Sequence, residues 1–518
     1  MKKIVADKYD ILFLVILVIA ILSRIILLDK YPLGLHEDEA GMMYDAYSLA
    51  EYGTDRYLNE NPVYLVNFGG GQSIMYAGIT SVLFKLFGVS TLIARIPSAF
   101  FSILAIILAF VLSKKYIGKK YAVILAFLIT ICPWHIMQAR WGLDCNLLSS
   151  FIMISVFTFL NAKKDWHYII SGMFWGLTLY TYALSYIMLP IFFLCLCGYL
   201  LYVKKITLKQ IIITIIPIFV LAIPLILLQT VNITGKGTIK FGPFTIPMLY
   251  NYRASEIGFK NIINNFTTKN NIFKLLFVAD HNLFNSLPEF GTIYYFMIPF
   301  VLGGLIINIK ETVISLKHKQ FSLRTVFLIQ FVTIFICLLV VSDLQLYKLN
   351  PLFIMLLTFG ADCILWIYNK KKISGNIIIG VLILSFIAFL IFYFRNINQK
   401  VGISFNSDVI PLVEYLEEQY PNKEIVLKTD AIQTYIYVLL GSKMSPYDFY
   451  NSAKIYRVGR DLAVSRAGRY LFSDSNVERD KIYVIEETDN IGTGKLLEQL
   501  EQAGFKRNIY NNFLIYSN

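Results

Sequence analysis

The amino-acid sequence predicts an α-helical polytopic membrane protein with a small extramembrane α/β domain at its C-terminal end. Three observations carry this. Of the 518 residues, 57% are hydrophobic and only 16% charged, where soluble domains carry roughly 25% charged residues. Apolar runs of spanning length recur from Ile11 to Phe394, the pattern of helices that satisfy their own backbone in lipid. After Phe394 these runs stop, and short stretches of alternating polar and apolar residues take over.

Eleven apolar segments follow one another: Ile11–Leu28, Leu92–Leu112, Tyr121–Met137, Asn146–Leu160, Tyr168–Tyr182, Ile187–Tyr202, Ile211–Leu228, Ile293–Ile307, Val326–Val341, Leu352–Tyr368 and Ile377–Phe394. The first lacks a small-residue cleavage site after it, so it is expected to remain as a helix rather than be removed as a signal peptide. A further stretch, Ser73–Phe87, is short and interrupted by Gly78 and Lys85.

Charge settles how these segments are threaded. The chain carries 47 Lys and Arg against 34 Asp and Glu, a net charge of +13. The excess sits in short clusters between apolar runs: Lys114, Lys115, Lys119 and Lys120; Lys163 and Lys164; Lys204, Lys205 and Lys209; Lys310, Lys317, Lys319 and Arg324; Lys370, Lys371 and Lys372. Loops of this kind face the cytoplasm. With the N-terminus inside, every cluster falls inside only if Ser73–Phe87 does not cross. That stretch is therefore expected as an interfacial helix on the outer side. About eleven transmembrane helices result, in a domain over 1–395, with the domain over 396–518 outside. The expected location is the plasma membrane, with Asp29–Thr91, Pro133–Cys145, Val231–Thr292 and the C-terminal region all extracytoplasmic. Basic residues placed this way leave nothing for nucleic acid to read.

In the C-terminal region the patterning predicts helices over Val409–Gln419 and Gly494–Gln502, strands over Glu424–Lys428 and Ile482–Glu486, and a hairpin of Phe505–Tyr510 with Phe513–Tyr516. Gly492-Thr493-Gly494-Lys495 does not complete a nucleotide-binding loop and reads as a turn before a helix. The six cysteines lie in or beside apolar runs without zinc-ligand spacing, which excludes a disulfide scaffold. Cys132 and Cys145 flank one outer loop; buried free thiols are the expectation.

Chemistry is concentrated in one place. His36-Glu37-Asp38-Glu39 lies just past the first apolar run. Carboxylates so close to hydrocarbon are costly and usually pair, bind or react. Two readings of the cluster stand. One carboxylate acts as a general base toward an acceptor hydroxyl, or the acids simply favour a helix N-terminus.

Further residues add to the first reading. Asn67-Phe68-Gly69-Gly70-Gly71-Gln72-Ser73 is followed by Phe87-Gly88 and by Arg95-Ile96-Pro97-Ser98. Later come Pro133-Trp134-His135, Arg140 and Asp144, then Tyr180-Thr181-Tyr182-Ala183 with Pro190, and Asp280, Asn285, Pro288 and Phe290-Gly291. In order and spacing over roughly Ile11–Pro351, these resemble the dolichyl-phosphate-mannose protein mannosyltransferase-like family, which includes bacterial aminoarabinose transferases. The resemblance implies the GT-C fold and an integral-membrane glycosyltransferase. Its donor is a sugar on a polyprenyl phosphate and its acceptor a hydroxyl on protein, lipid or envelope glycan. The first acid of the family's Asp-Glu pair, the base of an inverting displacement, maps onto Asp38, with Glu39 beside it. The later acid maps onto Asp144.

A phosphate leaving group needs no general acid, only positive charge and hydrogen-bond donors. Arg140, Arg95, Lys85, Tyr347 and Lys348 are the outer-face candidates, with His36, Gln72, His135, Tyr182, Asp280 and Asn285 as further substrate contacts. Aromatic belts equally explain Tyr182, loop capping explains Asp280 and Asn285, and snorkelling explains Lys85. The sequence departs from the aminoarabinose transferases at Ala40, Gly41 and Met42, where they carry a basic residue, and at Gln72, where they carry Lys. No cofactor is required. His36, His135 and His281 lie near Asp38, Asp144 and Asp280, so a divalent cation is conceivable, yet no two of these histidines share a ligand spacing. Transfer of a preassembled oligosaccharide and transport of a lipid-linked sugar are the alternatives. The second expects polar groups near mid-membrane, whereas here they gather at one side.

Overall fold

The structure, a computed structural model, describes residues 7–252, 256–269, 271–459, 461–473, 476–487 and 494–518. It divides into two compact units, each assembled from separated stretches: 1–31, 95–226 and 253–400 in the first, and 32–94, 227–252 and 401–518 in the second.

Helices build the first unit, and each of the eleven apolar runs is helical. Among the described residues, seven helices are long and apolar enough to cross a membrane: Thr91–Tyr116, Asp144–Asn161, Ser185–Tyr202, Leu208–Thr234, Tyr295–His318, Leu346–Lys370 and Lys372–Phe405. The other four runs differ for physical reasons. The first helix, Lys8–Ile25, carries three charges, Lys8, Asp10 and Arg24. The run Tyr121–Met137 is broken into Lys119–Ile131 and Pro133–Gln138, because Pro133 lacks an N–H and forces the residue before it out of the helical region. Asp165–Thr178 and Leu323–Leu339 have 14 and 17 residues.

Small residues bring these helices together. A Cβ on Gly304 would lie 1.7 Å from the carbonyl oxygen of Phe359, and one on Gly172 would lie 2.2 Å from that of Thr214. Backbones approach this closely only where no side chain intervenes. Asn350–Lys370 is the central element, buried along most of its length. Its Asp362 accepts hydrogen bonds from Arg324 Nε and Asn308 Nδ2, both at 2.7 Å, so a buried charge is both paired and hydrogen-bonded.

The second unit contains all eleven strands among the described residues. Tyr64–Leu65 (β1) pairs with Gln72–Ser73 (β2), and Ile239–Phe241 (β3) with Phe244–Ile246 (β4). Seven more form a sheet: Ile425–Lys428 (β5), Lys454–Val458 (β6), Asp461–Ala467 (β7), Tyr470–Leu471 (β8), Ile482–Glu486 (β9), Lys506–Tyr510 (β10) and Phe513–Ser517 (β11). Their order is β10-β11-β9-β5-β8-β7-β6, with β5 parallel to β8 and β9 and the remaining pairs antiparallel. Val426, Tyr483, Ile485, Leu500, Leu514 and Tyr516 form the core between the sheet and the helix Gly494–Gln502. The predicted helices over Val409–Gln419 and Gly494–Gln502 and the closing hairpin are present. Gly494 and Lys495 open that second helix, while 492–493 lie outside the described residues. β6 to β8 and the helices Thr434–Gly441 and Pro446–Ser452 are additional to the expected elements.

Two features depart from the division at 395. The Lys372–Phe405 helix runs ten residues past it. The loop over 29–91, expected with the transmembrane helices, groups almost entirely with residues 401–518. The contacts explain this. Leu35 N donates to the carbonyl of Phe405 at 2.7 Å, Leu462 N donates to that of Phe68 at 3.0 Å, and Tyr437 Oη donates to that of Leu35 at 3.0 Å.

Candidate active site

In the second unit the acidic cluster forms the first turn of the helix Glu37–Tyr52. His36 is the N-cap, with φ −63° and ψ 151°, and its Nδ1 accepts from Asp38 N at 3.2 Å. Carboxylates in a first turn face unsatisfied N–H groups and the positive end of the helix dipole, so the capping reading of these acids holds. The three nonetheless differ. Glu39 is fully buried. Burial raises the Glu37 carboxyl to about 8, helped by the charges of Asp38 and Asp461, so Glu37 carries a proton at neutral pH. Asp38 is open beside the buried Glu39, with 42% of its side chain exposed. Its Oδ1 accepts from Asn67 Nδ2 at 3.2 Å, and its Oδ2 lies 4.0 Å from His36 Nδ1. Burial holds His36 below its usual range, against the pull of Asp38 and Glu39, so the imidazole is neutral.

Behind this turn sits a charge pair that the sequence reading did not nominate. Arg56 and Asp45 are both buried, with Nε to Oδ1 at 2.9 Å and Nη2 to Oδ2 at 2.8 Å. Burial of this kind is tolerated because the fork geometry matches the carboxylate. A signal existed in the chain, since Asp45 and Arg56 flank a polar stretch between apolar runs, but the pairing depends on a turn at Gly53 with φ +74°. Gln72 is buried in β2 opposite Leu65. Lys85 is exposed in the last turn of the helix Ile74–Phe87.

The first unit gathers five of the predicted residues. Asp280 is buried, and its Oδ2 accepts from Asn285 Nδ2 at 3.1 Å and from Leu346 N at 2.9 Å. That second bond fixes the 3₁₀ turn Leu346–Leu349, which carries Tyr347 and Lys348. The Tyr347 ring lies 6.5 Å from that of Tyr182, edge to face. Lys348 Nζ donates to the carbonyls of Ser342 and Asp343 and lies 3.8 Å from Glu256 Oε2.

Other predicted residues are committed elsewhere in this unit. Arg140, expected at the phosphate, donates to the carbonyls of Tyr31, Ser23, Ile26 and Leu27 at 2.8–3.1 Å. It caps the end of the first helix, whose last carbonyls lack intrahelical partners. Arg95 Nη1 donates to Leu28 O at 3.0 Å. His135 is turned to Arg24 at 2.8 Å. Asp144 is buried, and its Oδ1 accepts from Cys145 N at 2.7 Å. Among the described residues no three His, Cys, Asp or Glu side chains converge as a metal-ligand set.

Comparison with known proteins supplies three findings. A family model described as dolichyl-phosphate-mannose-protein mannosyltransferase matches residues 71–230. The fold is similar to that of ArnT from Cupriavidus metallidurans bound to undecaprenyl phosphate. The TM-score is 0.54 over 98% of this chain and 97% of that one, at 11% identity, with the same values for the apo state. It is also similar to the Archaeoglobus fulgidus oligosaccharyltransferase in complex with Zn and sulfate, with a TM-score of 0.52 over 98% of this chain and 73% of that one, at 13% identity. No curated protein matches the chain in sequence. At these identities the likeness is one of fold, and the architecture is the GT-C fold that the motifs implied.

Proposed function

We propose that this protein is a membrane glycosyltransferase that moves a sugar from a polyprenyl phosphate to an acceptor hydroxyl at the extracytoplasmic face, with Asp38 as general base. The observation that carries the reading is the state of the three acids: Glu37 protonated, Glu39 buried and Asp38 open, ionisable and hydrogen-bonded by Asn67. An accessible carboxylate on a helical turn, beside a neighbour that holds its proton, is what a hydroxyl nucleophile needs. The match over 71–230 and the likeness to ArnT with its bound undecaprenyl phosphate support the donor class.

In the proposed step Asp38 takes the proton of the acceptor hydroxyl as that oxygen attacks the anomeric carbon. The carbon–phosphate oxygen bond breaks on the opposite face, configuration inverts, and the lipid phosphate departs with the bonding pair. Developing charge on that phosphate requires fixed donors. Arg140 and Arg95 are spent on backbone carbonyls, and Lys348 on those of Ser342 and Asp343, so none of the three is assigned to the phosphate. Glu39 supplies polar support on the same turn as Asp38, and the reaction needs no cofactor.

The experiment is direct. Purified protein is incubated with a panel of polyprenyl-phosphate sugars and envelope acceptors, and glycosylated products are identified by mass spectrometry for wild type and Asp38→Asn. Transfer by wild type and its loss in the variant support the reading. Equal transfer by both defeats it. The likeness to an oligosaccharyltransferase favours one further arm, an oligosaccharide-lipid donor in place of the monosaccharide-lipid.

A further inference from the structure

We propose that Asn67 is a positioning residue whose side-chain amide is locked by Arg56 so that Nδ2 is aimed at Asp38. This inference rests on the assignment of Asp38 as the base.

An amide side chain is nearly symmetric in shape, so its orientation is set by its neighbours. Arg56 has only donors, and its Nη2 lies 3.1 Å from Asn67 Oδ1. Turning the amide over would set an N–H against the guanidinium and an oxygen against the Asp38 carboxylate, two repulsions in place of two hydrogen bonds. Arg56 is itself immobile. It is gripped by Asp45 at two oxygens, its Nη2 also donates to Gly41 O at 2.5 Å, and its Nη1 donates to Tyr435 Oη at 3.2 Å. Asn67 is 4% exposed, and its carbonyl accepts from Gly70 N and Gly71 N.

A second observation points the same way. A Cβ on Gly41 would lie 2.4 Å from Asn67 Oδ1 and 2.9 Å from Arg56 Nη2. Gly41 therefore leaves the space in which guanidinium and amide meet. The ordered path is Asp45, Arg56, Asn67, Asp38, in which Arg56 and Asn67 donate in turn and the base receives. Among the described residues, the other groups around Asp38 are His36, Glu37 and Glu39 on its own segment, Tyr437 from the helix Thr434–Gly441, and Asp461 beside Glu37.

The test uses the full-length protein in detergent or nanodiscs. A water-soluble carbodiimide labels protonated carboxyls, so the pH at which Asp38 is half labelled, read by peptide mass spectrometry, follows its environment without any substrate. Asn67→Leu removes the donor and Gly41→Ala displaces the amide. Both are expected to raise the labelling midpoint of Asp38 by about one pH unit. With any donor the wild type accepts, both are expected to lower kcat about tenfold while KM stays within about twofold. Should Asn67→Leu fail to fold, Gly41→Ala and Asn67→Ser give the same readout.

A midpoint that stays put in folded variants overturns the proposal. A midpoint that rises, in a protein transferring no lipid-linked sugar, supports the placement of Asn67 and removes the glycosyltransferase reading. A midpoint that stays put in an active enzyme removes the placement alone.

Discussion

Arg24 Nη2 lies 2.8 Å from Nδ1 of His135, and the same guanidinium donates to the carbonyls of Ile129 and Thr130. Because Arg only donates, Nδ1 must be the bare nitrogen of a neutral imidazole with its hydrogen on Nε2. The helix Lys119–Ile131 ends against Pro133, so its last carbonyls have lost their usual partners. Arg24 supplies them. The one cation in the first apolar run is thus a cap for a different helix.

Removing that cap should cost stability rather than chemistry. Arg24→Met is expected to destabilise the protein by roughly 2–4 kcal/mol, from loss of charged hydrogen bonds to buried carbonyls. The check is a fluorescence-detected thermal midpoint in detergent. Folded Arg24→Met with an unchanged midpoint would remove the capping role.

Asp38→Asn keeps size and hydrogen bonding but cannot take a proton. Transfer is expected to fall by roughly 10²–10⁴, with membrane yield and thermal midpoint near wild type. Product formation quantified by mass spectrometry decides it.

Glu37 gives a pH signature. Its folded carboxyl titrates near 8, above the ordinary value of 4.5, because burial disfavours the charge. The folded state therefore binds more protons than the unfolded chain between those values, and stability falls as pH rises through that window. The contribution is full below about 4.5 and gone above about 8. Glu37→Gln should flatten this dependence and raise the thermal midpoint at pH 8.5 relative to wild type, a gain of roughly 1–3 kcal/mol. Parallel slopes for the two proteins from pH 5 to 9 would refute the assignment.

Arg140 separates two roles cleanly. As a cap on the first helix, Arg140→Lys should lower the thermal midpoint by losing the forked contacts to several carbonyls at once. KM for the lipid donor should stay within about twofold. A tenfold rise in KM at unchanged midpoint would instead return Arg140 to the phosphate.

Asp280 holds the turn that carries Tyr347 and Lys348 through a single bond to Leu346 N. Asp280→Ala should free that turn and lower the thermal midpoint, from loss of charged hydrogen bonds to Leu346 N and Asn285 Nδ2. A fluorescence-detected thermal midpoint in detergent tests it, and an unchanged midpoint in the folded variant removes the role.

The helices were legible because lipid imposes a length and a composition on each of them, and every apolar run became a helix. Val409–Gln419 and Gly494–Gln502 were legible at both ends because their amphipathic periodicity starts and stops abruptly. Strand β6 was not, since it is exposed along its whole length and offers no alternation. Within the site, the acidic turn announced itself by charge density. Arg56 and Asn67 did not, because their meaning lies in where a guanidinium and an amide meet, and neither composition nor spacing encodes that. Arg140 misled because an arginine that binds phosphate and one that caps a helix read alike in one dimension.

The junction at Gly34 constrains how this protein can be rebuilt. Gly34 adopts φ +83°, and any Cβ there would lie 2.2 Å from the Phe405 carbonyl and 2.7 Å from Ser407 Cα. Segments 32–94 and 401–518 were therefore shaped against each other. Chimeras that exchange only the C-terminal portion with a homologue would inherit mismatched surfaces, so recombination has to carry both segments as one cassette.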